Sequence, residues 1–166
     1  VVLRAMAELV KAGTIGQLEV VNIQQNPERA KALNVRSVPW VKIGEFELLG
    51  LRTQSELQQW AERVNDPSIM GEYFSELMTS AEMPKVRQII EKNPRYLSAL
   101  LELIGDTETS LSVRIGVGAL MEDFAGSELL RQNIQPLGEL TRHDNATIRN
   151  DACHYLGLSQ DPAAAE

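Results

Sequence analysis

The feature that most constrains this chain is a change in the spacing of its apolar residues near Asn65-Asp66-Pro67-Ser68. Before this point, short β-branched runs alternate with stretches in which apolar residues recur every three or four positions. After it, only the helical spacing remains. Alternating strands and helices are typical of an α/β domain, whereas helices with short connections form bundles or repeats. The sequence therefore predicts two domains, residues 1–65 and residues 66–166.

Composition limits the class of protein and its partners. The 166 residues are 43% hydrophobic and 23% charged, which suits one ordinary domain or two small ones. No apolar run approaches the roughly 20 residues that cross a bilayer, so we expect a cytoplasmic protein without a membrane partner. The net charge of −7 argues against nucleic acid, which needs surplus Lys and Arg. Residues 1–65 carry +1 and residues 66–166 carry −8, so the second domain favours a basic or neutral protein partner.

The first domain is expected to contain an amphipathic helix, a strand and a second helix in its first half. Residues 1–11 form the first helix, with Val1, Val2, Ala5, Leu9 and Val10 on one stripe. The run Leu18–Ile23 reads as a buried strand. Asn26-Pro27-Glu28 starts the second helix, with Asn26 as its N-cap and Ala30 and Leu33 as its apolar residues.

The second half of this domain reads as a hairpin followed by a helix. Residues 38–44 and 46–50 are the two strands, joined by a tight turn at Gly44-Glu45. Thr53 and Glu56 have the spacing of a capping box and begin the last helix. Its inner face is expected to be Leu57, Trp60 and Val64.

This order of elements, with three local motifs, resembles the thioredoxin family over residues 1–65. The motifs are Asn26-Pro27-Glu28-x-Ala30 after a strand, Val35-Arg36-Ser37-Val38-Pro39 at the next strand, and Gly50 followed by Glu56-Leu57 before the last helix. The resemblance implies a thioredoxin-like three-layer α/β/α domain whose first strand is missing from this chain.

The resemblance also implies a redox dithiol that this chain lacks. The family carries a Cys-x-x-Cys at a helix N-terminus, where the helix dipole lowers the pKa of the thiol. Val1 corresponds to the residue just after the second cysteine, so strand and dithiol are expected upstream. The single cysteine, Cys153, lies in the other domain, and no catalytic residue is expected in this chain.

Val38 and Pro39 are the substrate-binding candidates that the resemblance implies. In the family this peptide bond is cis and faces the dithiol, while the backbone of the residue before proline pairs with an extended substrate segment. An ordinary trans proline at the start of a strand is the alternative. Trp40 is expected to be a core aromatic residue.

Residues after 66 contain six helical stretches and an internal repeat. The helices are predicted at about 69–80, 84–92, 95–104, 110–124, 127–141 and 146–157. Val113-Arg114 recurs as Ile148-Arg149, 35 residues later, and each pair follows a polar turn and an apolar helix. A two-helix unit at this period is typical of an α-solenoid.

The repeated start of the second helix resembles HEAT repeats, with Val86-Arg87 as a degenerate copy and residues 158–166 as a turn before a further repeat. An all-α HEAT-like domain predicts that the helices beginning near Val113 and Ile148 lie side by side and parallel. Arg114 and Arg149 should bond turn carbonyls or acids. The expected buried residues are Val117, Leu120, Ala152 and Leu156.

Candidate chemistry in the helical half is sparse. Cys153, His154 and His143 lack the further ligands of a metal site, so neither a metal nor a cofactor is expected. A lone helical cysteine is usually a small buried apolar residue, and we expect this of Cys153. Gly116 and Gly118 lie inside a helix that follows no strand, which favours close helix packing over a phosphate loop.

Three functions remain open from the sequence. The first is a thioredoxin-like thiol–disulfide redox protein fused to a HEAT-like protein-binding domain, with a protein disulfide as substrate. The second is a non-enzymatic adaptor in which both domains bind protein partners. The third is a helical scaffold whose first domain only caps the repeats.

Overall fold

A computed structural model of the protein describes residues 1–162, and the chain divides into two compact units, Val1–Ile69 and a second that begins at Met70. Most residues are helical, and the described part contains one two-stranded antiparallel sheet. The last four residues of the predicted turn at 158–166 lie outside the described residues.

The first unit contains three helices and a hairpin. In chain order these are α1 (Val2–Lys11), α2 (Pro27–Ala32), β1 (Trp40–Ile43), β2 (Phe46–Leu49) and α3 (Gln54–Glu62). Helix α1 packs against α3, and the hairpin contributes the rest of the core. The buried side chains are Val2, Ala5, Met6, Leu9, Ile43, Phe46, Leu48, Leu57, Trp60 and Ala61.

The hairpin has the predicted turn, whereas its strands are shorter than the predicted 38–44 and 46–50. Ile43 pairs with Phe46, so only Gly44 and Glu45 lie between the strands. Gly44 has a φ of +58°, a value that glycine adopts without strain. A Cβ atom at this position would lie 2.5 Å from Cγ2 of Val64. Both the backbone angle and the packing therefore require glycine.

The capping box at the start of α3 is confirmed. The Thr53 hydroxyl accepts the Glu56 N–H, and the Glu56 carboxylate accepts the Thr53 N–H at 2.7 Å. The backbone hydrogen bond from Thr53 is the main cause of the lowered pKa of Glu56. The cap fixes where the chain enters the helix after β2.

The predicted strand at Leu18–Ile23 is wrong for the described structure. These residues pair with no other strand within residues 1–162, and Val20 is 61% exposed. A β-branched apolar run becomes a strand only when a neighbour supplies its ladder of hydrogen bonds. The hairpin does not supply that ladder, so the run stays irregular.

The first two helices depart from their predicted faces. Val1, which precedes α1, is 90% exposed, Val10 within it is 37% exposed, and Met6 is buried instead. In α2 no residue is buried, Leu33 is exposed, and the Asn26 side chain bonds the Asn22 carbonyl rather than capping the helix. A six-residue helix offers too short a face to bury a side chain against the remaining elements.

The second unit contains seven helices in its described part, the first of which starts one residue earlier, at Ile69. They are α4 (Ile69–Thr79), α5 (Met83–Lys92), α6 (Leu97–Gly105), α7 (Leu111–Asp123), α8 (Glu128–Arg131), α9 (Ile134–Leu140) and α10 (Ala146–Leu158). Residues Pro94–Tyr96 form a short 3-10 turn before α6. These bounds agree closely with five of the six predicted stretches.

The remaining stretch, predicted as one helix over 127–141, is interrupted between α8 and α9. Pro136 has no N–H, and its ring would collide with the Gln132 carbonyl in a continuous helix. Asn133 lies in the break, and its side-chain amide donates to the Leu129 carbonyl at 2.8 Å. The hydrogen bond stabilises the end of α8, and α9 starts anew.

Helices α7 and α10 lie side by side and parallel, as predicted. Early in both helices Arg114 lies 3.1 Å from Asp151, and one turn later a Cβ atom at Gly118 would lie 3.4 Å from the Tyr155 hydroxyl. Both contacts advance by four residues along each helix, which requires that the two helices run in the same direction. Glu122 of α7 also lies 3.7 Å from His154 of α10.

The predicted buried set is correct in three of its four members. Val117, Leu120 and Ala152 are buried, whereas Leu156 is only half-buried and Tyr155 takes the core position. Gly116 confirms the close packing expected there, because a Cβ atom would lie 3.1 Å from the Met78 sulfur.

Candidate functional site

The predicted substrate-binding residues lie at the entrance to β1. The Val38–Pro39 bond is cis, and β1 pairs with Phe46–Leu49, as the sequence predicted. The Pro39 carbonyl accepts the Gly50 N–H at 2.9 Å, which extends the hairpin ladder by one pair. Val38 is 61% exposed, and within residues 1–162 its backbone makes no hydrogen bond.

One edge of β1 is open. Because Pro39 and Gly50 form a hydrogen-bonded pair, the alternation of the antiparallel ladder turns the N–H and C=O groups of Trp40 and Lys42 away from β2. Among the described residues, none bonds these groups. Together with Val38 they form a row of unpaired backbone groups, which we call the open edge.

The opposite edge of the hairpin is partly closed. The same alternation turns the Leu49 carbonyl outward from β2, and there it accepts Nε and Nη2 of Arg52 at 3.2 and 3.1 Å. A side chain that occupies an outward carbonyl prevents another strand from pairing there. A further strand can therefore pair with this sheet at the open edge of β1.

The side chains around the open edge are half-buried or charged. Trp40 is half-buried, which fits the expected packing role only in part, and Lys42 is exposed. The first unit contains no cysteine. The chemistry available here is backbone pairing with an extended segment.

Cys153 lies in the second unit and does not have the burial predicted for it. It is exposed on α10, because the preceding residue, Ala152, occupies the inward position of that turn. His143 accepts the Asn145 N–H within its own turn at 3.0 Å. Among residues 1–162, no group of three metal-ligating side chains is present.

The two repeated arginines bond the turns that precede their helices, as predicted. Arg114 donates to the Ile104 and Asp106 carbonyls at 3.3 and 2.8 Å, and also to Asp151 of α10. Arg149 donates to the carbonyls of His143 and Asp144, both at 2.7 Å. Each arginine therefore links the first turns of its helix to the segment that precedes it.

The Tyr155 side chain is buried where α10 packs against α7. Burial is the main cause that raises its pKa to about 12, and the Asp151 carboxylate adds to it. Arg114 opposes this effect, and Glu122 contributes a smaller increase. The phenol is neutral throughout the physiological range.

Sequence reasoning missed an exposed apolar pair on α7. Leu111 and Ile115 are 74% and 65% exposed, one helical turn apart. The sequence contained a signal for this pair, because both lie outside the phase of the buried Val113, Val117 and Leu120.

The described helices include none that is long and apolar enough to cross a membrane. In comparisons with protein-family models, with curated proteins and with solved structures, the chain matches none of them.

Proposed function

We propose that this chain belongs to a thioredoxin-like thiol–disulfide redox protein whose helical part is a HEAT-like domain that binds a protein partner. The dithiol is expected in residues encoded before Val1. Val38 and Pro39 would align an extended segment of a protein disulfide substrate. The observation that carries the proposal is the open edge, with its unpaired backbone groups at Val38, Trp40 and Lys42.

The unpaired run Leu18–Ile23 supports the same proposal. An apolar β-branched segment and the open edge of β1, both in the first unit, each lack a neighbouring strand among the described residues. One additional strand between them would satisfy both sets of backbone groups. In the family that strand ends at the dithiol, which would bring the thiols towards Val38.

The proposed chemistry needs two thiols. A thiolate attacks one sulfur of the substrate disulfide, the S–S bond breaks, and a mixed disulfide forms. The second thiolate then displaces the substrate, which leaves with two thiols while the protein keeps the disulfide. Cys153 alone can form the mixed disulfide but cannot resolve it.

Hydrogen exchange tests the strand at the open edge. The chain would be prepared with and without the residues encoded before Val1, and amide exchange would be followed by NMR. We expect the amides of Trp40, Lys42 and Leu18–Ile23 to exchange at least about 100-fold more slowly in the longer chain than in the shorter one. The reason is that hydrogen bonds between strands protect amides from exchange. The Val41 amide, already paired with Leu48, is the internal control.

Unchanged exchange at Trp40 and Lys42 in the longer chain would contradict the proposal. A lysine-to-proline substitution sharpens the test, because K42P removes only an outward N–H and is compatible with an edge position. K42P should reduce protection of Leu18–Ile23, whereas K42A should not.

The adaptor is the second candidate function, and the exposed pair Leu111 and Ile115 favours it. Exposed apolar side chains on a helical-repeat surface are typical of protein contacts. An adaptor needs no dithiol, so the absence of a Cys-x-x-Cys in the residues encoded before Val1 would select it.

A further inference from the structure

The exposed pair on α7 is not required by the packing of the second unit. Helix α10 follows the same plan 35 residues later, with its own N-cap and its own arginine. The positions that correspond to Leu111 and Ile115 are Ala146 and Asn150, and both are exposed. The buried positions of the two helices correspond as Val113 with Ile148, Val117 with Ala152, and Leu120 with Tyr155.

Carboxylates lie before α7 and near its end. Glu108 lies in the turn before the helix, and Glu122 lies about three turns after Leu111 on the same side, 3.7 Å from His154 of α10. Both are exposed. The guanidinium of Arg114 is only 16% exposed and is bonded to Asp151 and to two carbonyls, and that of Arg87 is paired with Asp123 at the end of α7. The face therefore combines two apolar side chains with negative charge.

We infer that Leu111, Ile115 and Glu122, here called the α7 ridge, dock an amphipathic helix of a partner protein. The partner helix would carry two large apolar side chains one turn apart and a Lys or Arg about three turns from the first. This inference rests on the proposed partner-binding role of the second unit. It adds the place of binding and the chemistry of the partner.

Charge complementarity selects this occupant over a second copy of the chain. If two α7 ridges packed on each other in opposite directions, Glu122 of each copy would approach Glu108 of the other. Like charges at an interface cost binding free energy. A basic helix removes the repulsion and covers the same apolar area.

Designed peptides provide the test, with the full 166-residue chain. The probe is a labelled alanine-based helix of about five turns with two leucines four residues apart and a lysine eleven residues after the first. A matched peptide has glutamate in place of the lysine, and a third has glutamine. Fluorescence anisotropy at low and at physiological salt measures each affinity.

We expect the lysine peptide to bind at least tenfold more tightly than the glutamate peptide, with the difference reduced by salt. The variant L111A/I115N carries the residues that α10 has at these positions and should lose binding of the lysine and glutamine peptides, with an unchanged circular dichroism spectrum. E122Q should lower the affinity for the lysine peptide severalfold and leave the affinity for the glutamine peptide unchanged. L51A, at a residue of the first unit that is also 74% exposed, should bind like the wild type.

Equal affinity for the lysine and glutamate peptides would overturn the inference, as would wild-type binding by L111A/I115N. If sedimentation shows that the wild type is a dimer and that L111A/I115N is a monomer, the ridge binds a second copy of the chain. This result would also overturn the inference. None of these results depends on the open edge, so the hydrogen-exchange test of the first unit can succeed or fail separately.

Discussion

Arg114 at the start of α7 and Asp151 in α10 form a salt bridge of 3.1 Å across the two repeated helices. The arginine also donates to the Ile104 and Asp106 carbonyls in its own turn. One side chain thus joins the turn of one hairpin to the second helix of the next. It is the described contact that most directly links the two copies of the repeat.

Replacing Arg114 with methionine should destabilise the second unit by about 2–3 kcal/mol, because two carbonyls and a half-buried carboxylate lose a charged donor. The measurement is urea unfolding followed by far-UV circular dichroism. The control is R87M, since Arg87 is 46% exposed and pairs only with surface carboxylates. If R114M unfolds at the wild-type midpoint, the bridge does not hold the repeats together.

Gly44→Ala should destabilise the first unit by about 2 kcal/mol or more, from the strain at positive φ together with overlap on Val64. Both tryptophans lie in this unit, so their fluorescence reports its unfolding. G50A is the control: Gly50 has a φ of +80° with nothing within 4 Å, so only strain is expected there, about 1 kcal/mol.

The double variant G44A/V64A separates the two causes. Removing the Val64 methyl groups should relieve the overlap and leave the strain, so G44A should cost less free energy in the V64A background than in the wild type. An equal cost in both backgrounds would show that the packing at Gly44 is not as described.

Tyr155 should make the stability of the second unit depend on alkaline pH. Its pKa is raised to about 12 in the folded state, against about 10 when unfolded. The unfolded chain therefore releases this proton first, and the stabilisation that is complete below about pH 9 is lost as the pH rises from 10 through 12. The loss relative to Y155F should approach roughly 2–3 kcal/mol.

Urea unfolding of the wild type and Y155F at a series of pH values measures this difference, and the comparison cancels the other titrating groups. A difference that does not change between pH 8 and pH 12 would contradict the burial of the phenol between α7 and α10.

Val38 should act through its backbone. In a chain that includes the residues encoded before Val1, V38P removes the N–H proposed to pair with the substrate, whereas V38A retains it. A lost hydrogen bond of about 1.5 kcal/mol corresponds to about a tenfold decrease in kcat/KM for V38P. V38A should stay within about twofold of the wild type, and equal losses in both variants would indicate a structural role instead.

Local chemistry decided which parts of the fold were predictable. The turn at Gly44 and the capping box of Thr53 and Glu56 depend on residues a few positions apart, so the sequence contains all that specifies them. The same holds for Arg114 and Arg149, whose carbonyl partners lie in the preceding turns.

The failed predictions involve partners distant in the sequence or a small difference in phase. Leu18–Ile23 has strand composition, but strand formation depends on a neighbour that the described hairpin does not supply. Cys153 follows the inward Ala152 by one position, and one residue is about 100° of helix rotation. Leu111 and Ile115 lie outside the buried face of α7 that Val113, Val117 and Leu120 form, so the spacing of apolar residues in this helix is a local signal of their exposure.

The most direct test of the redox proposal is turnover in an insulin disulfide reduction assay. The 166-residue chain alone should show none, because it contains one cysteine. With the residues encoded before Val1, the chain should contain a Cys-x-x-Cys and catalyse turnover that C153S leaves unchanged. A longer chain with no such motif, or with the motif but no turnover, would contradict the account, as would turnover by the 166-residue C153S variant.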